Sequence, residues 1–212
     1  MKSSAVINNY GKFSGIYDIV MHAVFLGKDE TYRKKYINAL KLKPGNTVLD
    51  LAGGTGMNFL YLEKDVGENG EIFAVDASPD QLKIYRKKVH GHNNAHTIQG
   101  NASNLPFPKK YKFDAILCTY AMCVIPDYKK AINEAVNHLK LGGKLVIADL
   151  KLMNGPMKIF NLIYWFFVSS FVGSIENLKR PITKIMEENG LKVGYEEFGV
   201  GNFLYLAVGT KS

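Results

Sequence analysis

The sequence predicts an α/β fold built on a doubly wound, mostly parallel sheet, and three observations carry that expectation. Short apolar runs alternate with stretches of helical periodicity from residue 47 to residue 150, the pattern of repeated strand-helix-strand units. Those runs are apolar at successive rather than alternate positions, as strands covered by helices on both faces must be. The chain then carries two strand-like runs joined by Gly201-Asn202, which read as a hairpin and put an antiparallel strand at one side of the sheet. At 212 residues, 47% apolar and 22% charged, the chain suits a single domain over 1–212, and disordered, collagen-like and fibrous classes are excluded.

Taken in order, residues 5–42 predict one or two helices, forming a helical cap over 1–43. Ile16, Ile19, Val20, Val24 and Phe25 recur at helical spacing, and Tyr32, Tyr36, Ile37 and Leu40 do so again. Pro44-Gly45 ends that region. TVLDLA (47–52) predicts a buried strand and MNFLYLEKDV (57–66) a helix. EIFAVDA (71–77) is strand-like, and SPDQLKIYRKKV (78–89) opens as a capped helix with Ser78 at the N-cap and Pro79 in the first turn. HTIQGNA reads as a short strand and FDAILCTY (113–120) as a buried one. PDYKKAINEAVNHLK (126–140) predicts a helix ending at Gly142-Gly143, and KLVIADL (144–150) the next strand. LKVGYEEFGV and NFLYLAVGT form the hairpin.

Within an insertion over 152–180 lies PMKIFNLIYWFFVSSFVGSI (156–175), with one charge, Lys158, and the single Trp. It is nearly long enough to span a bilayer. The strands before and after it must share one sheet, so it has to be buried, cover a pocket or lie in an interface.

The balance is basic: 27 Lys plus Arg against 19 Asp plus Glu, a net charge of +8, with 24 of the 27 being Lys. Dispersed lysine serves solubility as readily as binding. Seven basic residues and no acid lie between Gln81 and Phe113 (Lys83, Arg86, Lys87, Lys88, Lys109, Lys110, Lys112), a set able to meet an anionic surface. Cys118 and Cys123 sit in an apolar stretch and read as packing positions in a reducing compartment. His90, His92 and His96 lack a metal-site context, so no metal is expected. The start of the chain has no secretory pattern. The expectation is a cytoplasmic protein with membrane association.

Chemistry is expected at the carboxyl ends of the strands, where strand order reverses. Gly53-Gly54-Thr55-Gly56 stands there, after one strand and before a helix, and glycines let a ligand approach the backbone. Asp50, three residues before Gly53, would repel a pyrophosphate and suits a cation. Asp76, twenty residues past Gly56, is placed to accept from ribose hydroxyls. S-adenosylmethionine, with a sulfonium, an ammonium and no phosphate, fits that pair. The competing reading makes Asp50 a strand-end acid bonded to nearby N–H groups, and Asp76 a turn former.

VLDLAGGTG resembles the first motif of class I S-adenosylmethionine-dependent methyltransferases, in the AGGTG form of quinone C-methyltransferases. FAVDASPDQL, GNASNLPF, FDAILCTYAMCVIPD and HLKLGGKLVIADL follow in family order. The resemblance implies a Rossmann-like seven-stranded sheet with a terminal antiparallel hairpin. It places Gly53, Gly54 and Gly56 along the methionine part, with Ala52 and Ala77 in the same two loops. It gives Asp76 the ribose, Asn101 and Ala102 the adenine, and Thr119 and Tyr120 the border of the transferred methyl.

The motifs of nucleic-acid methyltransferases are absent from CTYAMCV, so no nucleic acid is expected. The usual quinone-enzyme stretch, phenylalanine-glycine-leucine-arginine-asparagine, is replaced here by TYAMCVIPDY, which tells against a quinone. TYAMCVIPDYKKAI instead resembles bacterial lipid N-methyltransferases, and the leading expectation is methylation of an amino headgroup such as phosphatidylethanolamine, with peripheral contact to an anionic membrane. Tyr10, Tyr17 and Tyr120 are the candidate catalytic residues, able to hold a methylated ammonium by ring faces and hydroxyls. The alternatives are a small soluble or quinone-like acceptor, and a non-catalytic subunit that binds the cofactor to stabilise a complex.

Overall fold

The computed structural model describes Phe25 and residues 27–212. The helical periodicity at Ile16 to Val24 lies outside those residues. Helix α1 (Asp29–Leu40) buries Arg33, Tyr36, Ile37 and Leu40 along one stripe and ends where Lys41 turns left-handed at φ 55°. Strand β1 (Thr47–Leu51) leads through the glycine loop to α2 (Phe59–Val66), which buries Phe59, Leu62 and Val66. Strand β2 (Glu71–Asp76) feeds α3 (Pro79–Lys88), where Ser78 Oγ accepts the Gln81 N–H at 3.4 Å and Pro79 stands in the first turn. The sequence reading of that cap is borne out.

Strands β3 (Ala95–Gln99) and β4 (Phe113–Thr119) precede α4 (Tyr128–Asn137) and β5 (Leu139–Leu150). Helix α5 (Asn161–Val172) follows a 3-10 turn at Gly155–Phe160 and is followed by another at Ile175–Lys179. Helix α6 (Ile182–Glu188), β6 (Leu191–Phe198) and β7 (Leu204–Lys211) complete the described chain.

The seven strands lie in the order β3-β2-β1-β4-β5-β7-β6. All pairings are parallel except those of β7, which is antiparallel to β5 and β6. Successive residues of each strand face opposite layers. Val48, Ala115, Leu117 and Val146 pack with Tyr36 and Ile37 of α1 and with Phe59 and Leu62 of α2. Leu49, Leu51, Ile116 and Ile147 pack with Ala131, Ile132 and Ala135 of α4 and with Ile185 and Met186 of α6. Truncating a fully buried strand residue such as Ile116 to Ala costs about 2–5 kcal/mol.

Three details depart from the sequence reading. The expected helix over 126–140 stops at Asn137, because Leu139 is already in the sheet opposite Phe113, whose N–H bonds His138 O at 2.8 Å. Gly142-Gly143 therefore lies inside β5, at an irregularity of the ladder: a Cβ on Gly143 would lie 2.9 Å from Asp114 O. The strand read as HTIQGNA ends at Gln99, and Asn101 forms an isolated bridge with Asn104 instead. The expected hairpin does place an antiparallel strand, β7, at one side of the sheet. β7 pairs with β5 over Lys144–Leu150 and leaves β6 outermost.

Candidate active site

Strand order reverses between β1 and β4, and a cavity of about 510 Å³ opens there, at the carboxyl ends of β1, β2 and β4. Its size suits a small-molecule ligand. The loop after β1 forms one side. Ala52 takes a left-handed conformation (φ 54°), as does Gly54 (φ 58°), and the turn presents Gly53 and Gly54 to the cavity. Gly54 N–H donates to Asp76 Oδ2 at 2.9 Å and Ser78 N–H to Asp76 Oδ1 at 2.8 Å. Asp76 is thereby fixed at the cavity wall beside Ala77. Burial raises its pKa, and the N–H bonds oppose that rise.

The structure brings Ala52, Gly53, Gly54, Asp76, Ala77, Asn101, Ala102, Thr119 and Tyr120 to this one cavity. Asp50 and Gly56 stand behind its wall instead. A Cβ on Gly56 (φ 80°) would lie 2.8 Å from the Tyr85 ring, so this glycine makes room for an aromatic packed under the loop. Asp50 is fully buried, its Oδ1 accepting from Asn58 Nδ2 at 2.9 Å and its Oδ2 from Tyr85 OH at 3.2 Å. Burial pushes its carboxyl up to about 6, against the pull of those two bonds and of Arg33. Asn101 spends its Oδ1 on Ser103 N–H at 2.9 Å. Tyr10 and Tyr17 lie outside the described residues.

Arg33 and Asn58 were not foreseen. Asn58 Nδ2 also reaches Thr119 Oγ1 at 3.1 Å, and its Oδ1 accepts from Arg33 Nη1 at 2.8 Å, so one amide joins Asp50, Thr119 and Arg33. Arg33 lines the cavity, donates from Nη2 to Met57 Sδ at 3.1 Å, and lies 5.6 Å from the Tyr120 ring centroid. Its buried Nε–H has no hydrogen-bond partner among the described residues, an expensive state for a charged donor. A signal existed: Arg33 is a charge on the apolar stripe of Tyr36, Ile37 and Leu40.

Tyr120 follows β4 in a left-handed conformation (φ 57°). Its hydroxyl lies 2.8 Å from that of Tyr36, and burial pushes both phenols above their ordinary range. Neither is a base at neutral pH. Aromatic rings surround this pair. Phe25 lies 4.9 Å from Tyr120 and 6.1 Å from Phe203, which in turn meets Tyr164 of α5 at 6.0 Å. The Tyr164 hydroxyl is buried with no hydrogen-bond partner among the described residues.

Beyond Tyr120, the loop 121–126 closes the cavity with Ala121, Val124, Ile125 and Pro126. Buried Asp149 holds it from β5, accepting Cys123 N–H at 2.8 Å and its neighbour Leu150 N–H at 2.7 Å. Burial pushes the Asp149 carboxyl up to about 6. Helix α5 buries Tyr164 and Val172 but leaves Leu162 80% and Ile163 58% exposed, with Ile159 at 73% just before it. Among the described residues no helix is long and apolar enough to cross a membrane, and no group of three His, Cys, Asp or Glu is placed to hold a metal. His92 and His96 pair instead with Glu63 and Glu71.

Residues 1–180 match the ubiE/COQ5 methyltransferase family. A ubiquinone/menaquinone biosynthesis C-methyltransferase UbiE of Proteus mirabilis is 30% identical over 178 residues, spanning 82% of this chain and 70% of its own length. A demethylmenaquinone methyltransferase of Staphylococcus saprophyticus is 29% identical over 175 residues, spanning 82% and 75%. Among solved structures, a SAM dependent methyltransferase from Aquifex aeolicus superposes with a TM-score of 0.65 at 24% identity, over 84% of this chain and 88% of that one. That last likeness speaks for the fold.

Proposed function

We propose, given that this chain belongs to the ubiE/COQ5 methyltransferase family, that it methylates an oxygen-bearing aromatic ring of the quinol type. The observation that carries this reading is the likeness to quinone C-methyltransferases over 82% of the chain. The lipid-amine expectation finds no support among those relatives, whereas the quinone-like alternative does. The chain is an S-adenosylmethionine-dependent methyltransferase, and the donor, when bound, supplies an electrophilic methyl on a sulfonium.

The residues at the cavity fit such a donor. Asp76 would hold the ribose hydroxyls, since its carboxylate is already fixed by two N–H groups at the wall. Arg33, a buried cation on the cavity lining, would take the donor's carboxylate. Asp50 would act through Asn58, as the buried negative end of a chain that stops at Thr119 beside the methyl.

On the acceptor side, Tyr120 lines the cavity and would offer its ring to a flat substrate, with Phe25, Phe203 and Tyr164 packed behind it. In the Tyr36–Tyr120 pair one hydroxyl donates to the other, which leaves one O–H proton for a third oxygen. Because burial keeps both phenols protonated, the pair would donate to a ring oxygen and steady negative charge on it as the ring attacks. The replaced TYAMCV stretch keeps an aromatic ring at Tyr120, so the departure from the quinone enzymes alters how the ring is held. The outward residues Ile159, Leu162 and Ile163 would meet the lipid phase in which a prenylated acceptor partitions.

Mass spectrometry tests the acceptor. Purified protein is given S-adenosylmethionine with either a short-chain demethylated naphthoquinol or phosphatidylethanolamine vesicles. One methyl gained by the naphthoquinol and none by the lipid is the expected result. Methylated phosphatidylethanolamine with an unchanged quinol would sink the proposal.

A further inference from the structure

We propose that Arg180 is a positioning residue for the donor cavity, shaping its wall from the far end of the 152–180 segment. The inference rests on the reading of the cavity as the donor's site. The chain has three arginines against 24 lysines. Arg86 bonds Thr97 at the surface, while the other two stand at the cavity, Arg33 on its lining and Arg180 behind the loop 121–126. In so lysine-rich a chain, arginine at these places answers a need for its planar fork.

The geometry shows the need. Arg180 Nη1 donates to the carbonyls of Met122 and of Ile125, the latter at 2.6 Å, while the guanidinium carbon lies 4.5 Å from the Tyr128 ring centroid. Inside the loop, the N–H groups of Val124 and Ile125 both turn back to Ala121 O at 2.9 Å. The carbonyls of Met122 and Ile125 point outward, and Arg180 gathers them. One nitrogen of the fork, Nη1, takes both carbonyls while the other, Nη2, is free for Asn177, a span that the single nitrogen of a lysine cannot cover. The loop is thus held by Asp149 at Cys123 N–H and by Arg180 at two carbonyls, and its other surface is cavity lining.

Arg180 is also tied to the acceptor side. Its Nη2 donates to Asn177 Oδ1 at 2.8 Å, and Asn177 Nδ2 donates to Val172 O at 2.8 Å, the last residue of α5. Two hydrogen bonds therefore link the helix that carries Tyr164 to the wall of the donor cavity.

Calorimetry with S-adenosylhomocysteine tests this without turnover, on the wild type, Arg180→Lys and Arg180→Gln, with unliganded melting midpoints measured alongside. A wild type that fails to bind would overturn the donor-site reading itself. With binding established, the expected result is a Kd raised about tenfold in Arg180→Gln, the worth of one charge-assisted hydrogen bond, and raised less in Arg180→Lys. A purely structural role would lower the melting midpoint and leave the Kd of the folded protein unchanged. A Kd within twofold of wild type in folded Arg180→Gln overturns the proposal, and should that variant not fold, an unchanged Kd in Arg180→Lys does so.

Discussion

Asp50 is the residue whose chemistry is most altered by its place in the fold. Its pKa is raised to about 6 from 3.8 by burial, so the folded state holds the proton more tightly than the unfolded chain. The resulting stability is full below about pH 4 and is lost as pH rises through about 6. Asp50→Asn removes that loss, since Tyr85 OH can turn to accept from the new amide. The stability of the variant relative to wild type should therefore grow between pH 4 and pH 7 in urea titrations. A pH-independent difference would show that Asp50 stays charged throughout. The sequence showed that an acid stood at this strand end but not where it faced, because the partners that turn it inward, Asn58 and Tyr85, lie 8 and 35 residues away. For Arg33 the local pattern shows only a charge on an apolar stripe; what makes it part of the site is its contacts with Met57, Asn58 and Tyr120, 24, 25 and 87 residues away.

Among the elements, the glycine loop and α3 form one unit. Gly53 and Gly56 both lie against Tyr85, with Cβ positions 3.0 and 2.8 Å from its ring. Gly56→Ala must displace that ring in addition to straining a left-handed backbone, at a cost of about 1–3 kcal/mol. It should also weaken donor binding, because the same ring carries the hydroxyl that holds Asp50. The urea midpoint should fall with an unchanged slope, and an unshifted midpoint would mean the loop moves freely over α3. Helices and strands were legible wherever a cap or a run of periodic residues marked them, as Ser78-Pro79 marks α3. The start of β5 was not, since Leu139 enters the sheet through a pairing with Phe113 that only the tertiary fold supplies. The seven-residue α6 is too short for periodicity to reveal it.

For the whole molecule, the +8 charge and the outward apolar residues before and within α5 bear on one question, how a lipophilic acceptor is reached. Leu162→Glu with Ile163→Glu should abolish co-sedimentation with anionic vesicles and leave S-adenosylhomocysteine binding intact, because both side chains point away from the cavity. Vesicle binding by the double variant at wild-type strength would assign membrane contact to another face. The order of the sheet has a further consequence, for how the protein is made. β6 leaves the ribosome before β7, yet it joins the sheet only through β7. Until β7 emerges, β6 has no seat and the β5 edge stays bare, so a growing chain carries an unpaired strand and an open sheet edge at once. Completion of the sheet is a late, long-range step, and its delay is the interval in which this protein is most open to aggregation and to chaperones.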